Sequence, residues 1–120
     1  MTVADFEAAL ERTDEIELTT TGRITGRPSS HPVWFVRQAE RLYLLPGAGS
    51  NSQWYQNVLK TPGIRLASRH AQYSSTARPI TEPATVARIV ADFRAKYGAR
   101  ELTAYYPNPN PDVAVEVTLA

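Results

Sequence analysis

Apolar positions recur at helical spacing near the start of the chain and then give way to strict alternation. Val3, Phe6 and Leu10 form one stripe, and Thr2 with Asp5 three residues on completes a capping-box pattern, so Thr2 to Arg12 predicts a short amphipathic helix. Glu15-Ile16-Glu17-Leu18-Thr19-Thr20-Thr21 alternates at period two with many β-branched residues, the pattern of a strand with one wet face. Gly22 to Pro28 holds two glycines and a proline and predicts a turn. Ser29 to Gln38 predicts a second strand and Arg41 to Leu45 a third, the two joined as a hairpin through the polar turn at Gln38-Ala39-Glu40. Pro46 to Asn51 reads as a loop, after which Ser50 through Ser52 offer N-caps for a helix carrying Trp54, Tyr55, Val58 and Leu59 and stopped by Pro62-Gly63. Ile64 to Ser68 and Tyr73 to Ile80 predict two more strands, joined near His70-Ala71. Pro83 opens the clearest helix, where Val86, Ile89, Val90, Phe93 and Tyr97 keep 3.6-residue spacing up to Gly98. A stiff connector over Pro107-Asn108-Pro109-Asn110-Pro111 leads to a last strand with Val113, Val115, Val117 and Leu119 on one face and Glu116 and Thr118 on the other.

The order is α-βββ-α-ββ-α-β. About six mainly antiparallel strands with three helices in the connections define an α+β chain whose sheet is a closed or half-open barrel, not a βαβ sheet. The length of 120 residues makes residues 1–120 a single domain. Thirteen Lys and Arg against twelve Asp and Glu leave a formal charge of +1, which argues against a nucleic-acid binder or a polybasic membrane anchor but leaves room for a local cationic pocket. The absence of cysteine excludes disulfides, thiolate catalysis and Cys-ligated zinc. With no signal-peptide pattern and no long apolar run, a transmembrane segment is not expected, and the expected location is the cytoplasm.

Histidine occurs only as His31 and His70, and neither belongs to a metal or triad pattern, so no metal site is expected. The turn from Thr20 to Ser30 is different, with two guanidinium groups, five hydroxyls and two glycines in eleven residues. Arginine forks and exposed backbone N–H groups suit a phosphate, so this is either an anion cradle or an ordinary polar hairpin turn. A second cluster, Gly47-Ala48-Gly49-Ser50-Asn51-Ser52, lies directly before a helix, where backbone donors commonly meet phosphates. Pro32 interrupts the ladder of the second strand, which belongs at a sheet edge, and an aromatic ligand lying along that edge would fit. Trp54 and Tyr55 are either core side chains or cofactor contacts.

These same places carry a family resemblance. Gly22-Arg23-x-Thr25-Gly26-x-Pro28 followed by Pro32-Val33-Trp34-Phe35-Val36, and then Gly49-x-x-Ser52-x-Trp54-Tyr55-x-Asn57-Val58-Leu59-x-x-Pro62, resemble the signature segments of the deazaflavin-dependent nitroreductase family. That family is similar to pyridoxamine-phosphate-oxidase-like split β-barrels, binds coenzyme F-420 (a phosphorylated 5-deazaflavin), and reduces quinones, nitroaromatics or enones by hydride transfer. The resemblance implies that Arg23, Thr25, Gly26, Arg27 and Ser29, together with Gly47, Gly49, Ser50 and Ser52, hold the phosphate side of the coenzyme. Pro32, Val33 and Trp34 would lie along the ring, with Trp54 and Tyr55 as further contacts. Tyr105 and Tyr106 are the candidate catalytic phenols, one of them expected to donate a proton or hydrogen bond to the acceptor's oxygen, with packing at a subunit interface as the alternative. Ile24 and Ser29 stand where the family usually has basic residues, so FMN is the alternative cofactor. The expected assembly is a homodimer acting on a small-molecule substrate, with no nucleic-acid partner and no membrane-associating N-terminal extension. The alternatives are an FMN-dependent reductase or oxidase and a non-catalytic flavin or tetrapyrrole binding module.

Overall fold

The alternating segments pair into one antiparallel sheet. In the computed structural model, which describes residues 3–68, 71–105 and 111–119, the strands are β1 (Glu15–Thr21), β2 (Pro28–Trp34), β3 (Val36–Gln38), β4 (Arg41–Leu44), β5 (Gly63–Ser68), β6 (Ala71–Ile80) and β7 (Ala114–Thr118). Their spatial order is β2-β1-β5-β6-β7-β4-β3, with every neighbouring pair antiparallel. The long strand β6 turns the corner. Its first half pairs with β5 from Gly63↔Thr76 to Ser68↔Ala71, and its second half pairs with β7 from Ala77↔Val117 to Ile80↔Ala114. The two edge strands, β2 and β3, follow each other in the chain with only Phe35 between them, so the sheet curls until its edges meet there.

The single strand expected over Ser29 to Gln38 is therefore two strands, and the sheet has seven instead of six among the described residues. The cause lies 62 residues away. The Phe35 N–H donates to the Tyr97 hydroxyl at 3.1 Å, and that hydroxyl shares its proton between the carbonyls of Phe35 (2.9 Å) and Asp14 (2.7 Å). Lys96 Nζ donates to the Phe35 carbonyl at 2.8 Å and lies 3.6 Å from the centre of the Phe35 ring. Side chains thus satisfy both backbone groups of Phe35, and the ladder can break without an orphaned donor. Burial lowers the Lys96 pKa, while the charge of Asp14 opposes that shift.

Helix α1 (Val3–Leu10) buries Phe6 and Leu10, and α2 (Gln53–Lys60) buries Trp54, Tyr55 and Val58, against the inward residues of the barrel such as Leu18, Leu42, Leu66, Val115 and Val117. Helix α3 (Pro83–Tyr97) covers the opposite face, packing Val86, Ile89 and Phe93 on Val36, Tyr43, Leu45 and Ala114. A fourth helix, α4 (Ala99–Tyr105), and a single 3-10 turn over Gly49–Asn51 were not expected. Gly98 reaches φ +93° and ends α3, and only Leu102 of α4 joins the core, too sparse a pattern to announce a helix. Glu116 does face away from Val115 and Val117, but it is buried. Arg78 donates to it at 2.8 Å and Arg41 lies at 3.9 Å. Thr2, His70 and residues 106–110 lie outside the described residues, and with them the expected N-cap, the His70 turn and most of the proline-rich connector.

Candidate functional site

The β1–β2 turn is closed by its own backbone. Gly22 N–H donates to the Arg27 carbonyl and Gly26 N–H to the Gly22 carbonyl, each at 2.8 Å. Gly26 holds φ +73°, in the left-handed region that glycine enters at no steric cost. At Gly22 an added Cβ would come within 3.0 Å of Thr25 Oγ1 and 3.1 Å of the Arg27 carbonyl oxygen. Thr25 Oγ1 also accepts from the Arg27 N–H at 3.2 Å.

Helix α2 grips this turn from the side. The Asn57 side-chain oxygen Oδ1 accepts from the Arg23 N–H (3.1 Å) and from Arg23 Nη1 (3.0 Å), while its side-chain nitrogen Nδ2 donates to Thr20 Oγ1 (3.2 Å). Arg23 Nη2 donates to Gln53 Oε1 at 2.7 Å, and Lys60 Nζ donates to the Arg23 carbonyl at 2.8 Å. The two glycine-bearing sequence segments are therefore one structural unit, joined by the Asn of the Trp-Tyr-x-Asn block. Asn57 is only 5% exposed and Thr20 1%, so the joint is dry.

Between turn and helix lies an open hollow of about 350 Å³, lined by residues 22–25 and 27–29 of the turn and by Gln53 and Asn57. No lining residue is acidic. Arg23 is held by neutral amides, and the Arg27 guanidinium has no hydrogen-bond or ion-pair partner among the described residues. Lys60 adds a third cation beside them. Cations that no carboxylate neutralises, on a rim with backbone donors, make a ready anion site. Ser29 lines the hollow, and its hydroxyl lies 3.1 Å from His31 Nε2.

The other expected site residues are placed differently. Several donors of the glycine loop that contains Gly47 and Gly49 are already engaged: the Gly49, Asn51 and Ser52 N–H groups go to the loop's own carbonyls of Pro46, Ala48 and Gly49. Ser50 gives its N–H (2.9 Å) and hydroxyl (2.6 Å) to the two oxygens of Asp112, 62 residues away. Ser52 occupies the N-cap position of α2 without a side-chain cap bond. A carboxylate of the chain itself thus takes the anion position at this loop, and these hydrogen bonds lower the Asp112 pKa. Trp54 (7% exposed) and Tyr55 (3%) are core side chains, and burial together with the charge of Asp112 raises the Tyr55 pKa.

Pro32 lies exposed on the edge strand opposite Glu17, where its missing N–H costs no ladder bond. Val33 points into the core, and Trp34 stacks on Tyr97 with centroids 4.2 Å apart and planes 10° from parallel. Tyr105 ends α4, and its side chain and all of Tyr106 lie outside the described residues. Among the described residues no cluster of His, Asp or Glu could hold a metal, and no helix is long and apolar enough to cross a membrane. The contributions of Asn57 and Gln53 were not anticipated. Asn57 was visible only as a fixed letter of the Trp-Tyr-x-Asn block.

A curled antiparallel sheet with its edges meeting at one residue is the split-barrel architecture, and solved structures share it. One is an F-420-H2 dependent reductase (FDR-A), 18% identical, covering 87% of this chain and 93% of its own at a TM-score of 0.65. A second, from Clostridium acetobutylicum, is related to general stress protein 26 of B. subtilis, in the pyridoxinephosphate oxidase family. It is 14% identical and covers 98% of this chain and 82% of its own at 0.70. A third is described as a domain-swapped dimer, 18% identical, covering 95% and 94% at 0.66. The family model of the F-420H(2)-dependent quinone reductases matches residues 2–119. The chain belongs to that family. It is an oxidoreductase that carries out deazaflavin-dependent reduction with reduced coenzyme F-420, and the acid-free cationic hollow has the donor chemistry that a phosphorylated coenzyme requires.

Proposed function

We propose that Arg27 is the principal phosphate-binding residue for coenzyme F-420, with Arg23, Thr25, Gly26 and Ser29 completing the cradle, and that the acceptor is a small electron-poor molecule such as a quinone, nitroaromatic or enone. The observation that carries this is the Arg27 guanidinium, without a partner among the described residues, on an acid-free hollow. The glycine loop, whose Gly49, Ser50, Asn51 and Ser52 N–H groups are engaged within the chain, then serves to seat α2 instead of binding phosphate. The ring would lie along the edge of the same strand at Pro32, Val33 and Trp34, which begins about 10 Å along the chain from Ser29. When bound, the reduced coenzyme supplies the hydride, and the chain's own part is to hold, orient and donate a proton.

Arg27→Ala should weaken binding of the reduced coenzyme by roughly 10- to 150-fold, the worth of a charge-assisted bond, while the melting temperature of the apo-protein stays within about 1 °C. Arg23→Ala should lose both, because Arg23 also ties the turn to α2. An unchanged dissociation constant in Arg27→Ala, read from coenzyme fluorescence, refutes the cradle.

Tyr105 and Tyr106 complete the reading as the proposed phenols at the acceptor's oxygen, supported by the position of Tyr105 at the end of α4. One of the two Tyr→Phe changes should lower turnover with menadione about 10- to 100-fold with coenzyme affinity intact. Both variants turning over like the parent assigns the proton to solvent. A homodimer is the assembly this reading expects, supported by the domain-swapped dimer among the structures of the same fold. A cytoplasmic location fits the absence of cysteine. Light scattering on the purified chain tests the first, and fractionation of the source cells the second.

A further inference from the structure

We infer that His31, acting through the Ser29 hydroxyl, is a proton-dependent cation behind the anion hollow: in its charged form it turns the Ser29 O–H toward a phosphate-type ligand and adds its own positive charge to the site. The inference rests on the reading of the hollow as a phosphate site.

The geometry is short and local. Ser29 and His31 are two residues apart on edge strand β2, so their side chains share one face, and Ser29 Oγ lies 3.1 Å from His31 Nε2. Both residues are half-buried. Ser29 lines the hollow and His31 does not, so His31 reaches a ligand only through the hydroxyl.

The chemistry follows from the inventory of donors. In the neutral tautomer that carries its proton on Nδ1, Nε2 can only accept, so Ser29 spends its single O–H on the imidazole and shows the hollow nothing but lone pairs. An anion in the hollow meets those lone pairs as a repulsive contact. In the imidazolium both ring nitrogens are donors, Nε2–H bonds Ser29 Oγ, and the hydroxyl proton must point elsewhere. The open direction is the hollow. From that tautomer protonation frees the Ser29 O–H for the hollow; the neutral tautomer with its proton on Nε2 already leaves it free, and from either one protonation adds a unit charge behind the hydroxyl.

The charged groups on the elements beside His31 are few. From the β1–β2 turn come Arg23 and Arg27, and from α2 Lys60, all cationic. On β1 the residue opposite His31 is Leu18, and that opposite Ser29 is Thr20. The acids of that strand, Glu15 and Glu17, belong to the other face, opposite Trp34 and Pro32. A bound anion is thus the counter-charge that the histidine lacks among the described residues.

Sulfate is the probe, because it stays doubly charged across pH 5–9 and any pH dependence then belongs to the protein. The His31 ring resonance, assigned by its loss in His31→Gln, is titrated by NMR with and without saturating sulfate. We expect sulfate to raise the His31 pKa by about 0.5–1 pH unit and, by reciprocity, the sulfate dissociation constant to tighten about 3- to 10-fold from pH 8 to pH 5.5. Ser29→Ala should leave His31 titrating but remove at least half of the sulfate-induced rise, which a merely structural histidine would not show. If sulfate or the coenzyme stabilises the protein and the His31 pKa does not move, the inference is overturned and the phosphate reading stands. If neither stabilises it at any pH, both fall together.

Discussion

Asn57 shows how much one buried amide carries. Its oxygen accepts from the backbone and the side chain of Arg23, and its nitrogen reaches the nearly inaccessible Thr20 hydroxyl. Asn57→Leu fills the same volume but strips three hydrogen bonds from a dry joint, and should destabilise the protein by about 2–3 kcal/mol in urea unfolding. Asn57→Asp separates structure from binding. A carboxylate keeps the acceptor for Arg23, and Thr20 can donate to it, so stability should fall by no more than about 1 kcal/mol. The new negative charge sits on the wall of the hollow, however, and coenzyme affinity should drop about tenfold. If Asn57→Asp binds as tightly as the parent, the hollow does not hold an anion.

At the scale of elements, the links that sequence patterning missed are those between residues far apart in the chain. Alternation along 29–38 was legible, but the break at Phe35 depends on a hydroxyl and an ammonium from the last turn of α3, and nothing local marks it. The two glycine clusters looked alike in composition. Only the fold shows that one keeps its cations away from any carboxylate among the described residues and that the other receives Asp112 from the segment just before β7. Trp54 and Tyr55 obeyed helical periodicity, and burial decided for packing. The Asp112–Ser50 link makes a pH prediction with a definite sign. The folded-state pKa of Asp112 lies below its usual value chiefly through the hydrogen bonds from Ser50, so the link contributes stability above the ordinary carboxylate range near 4 and loses it as pH falls through the lowered value. Asp112→Asn should therefore melt below the parent at pH 7 and converge with it toward pH 2. A gap that is constant from pH 7 to pH 2 would show that the charge of Asp112 contributes nothing.

For the whole molecule, a formal charge of +1 conceals an uneven distribution. Glu116 is matched by Arg78 and Arg41, and Glu7 by Arg37, whereas Arg23 and Arg27 have no carboxylate partner among the described residues. An anionic coenzyme is then held by a local field on a nearly neutral surface, and salt should act on binding far more than on folding. Exposed charges are screened over about 10 Å at 0.1 M salt and about 3 Å at 1 M. The coenzyme at 100 times its low-salt dissociation constant should stabilise the domain by about 2.7 kcal/mol, a melting shift on the order of 10 °C. Raising salt from 0.05 to 1 M at fixed coenzyme should erase at least half of that shift while moving the apo melting temperature by only a few degrees. In Arg27→Ala the residual shift should be both smaller and flatter with salt, because one exposed contributing charge is gone. A coenzyme-induced shift that is equally large at both salt concentrations would mean that stacking and burial at the Pro32–Trp34 edge, not the cationic hollow, carry the affinity.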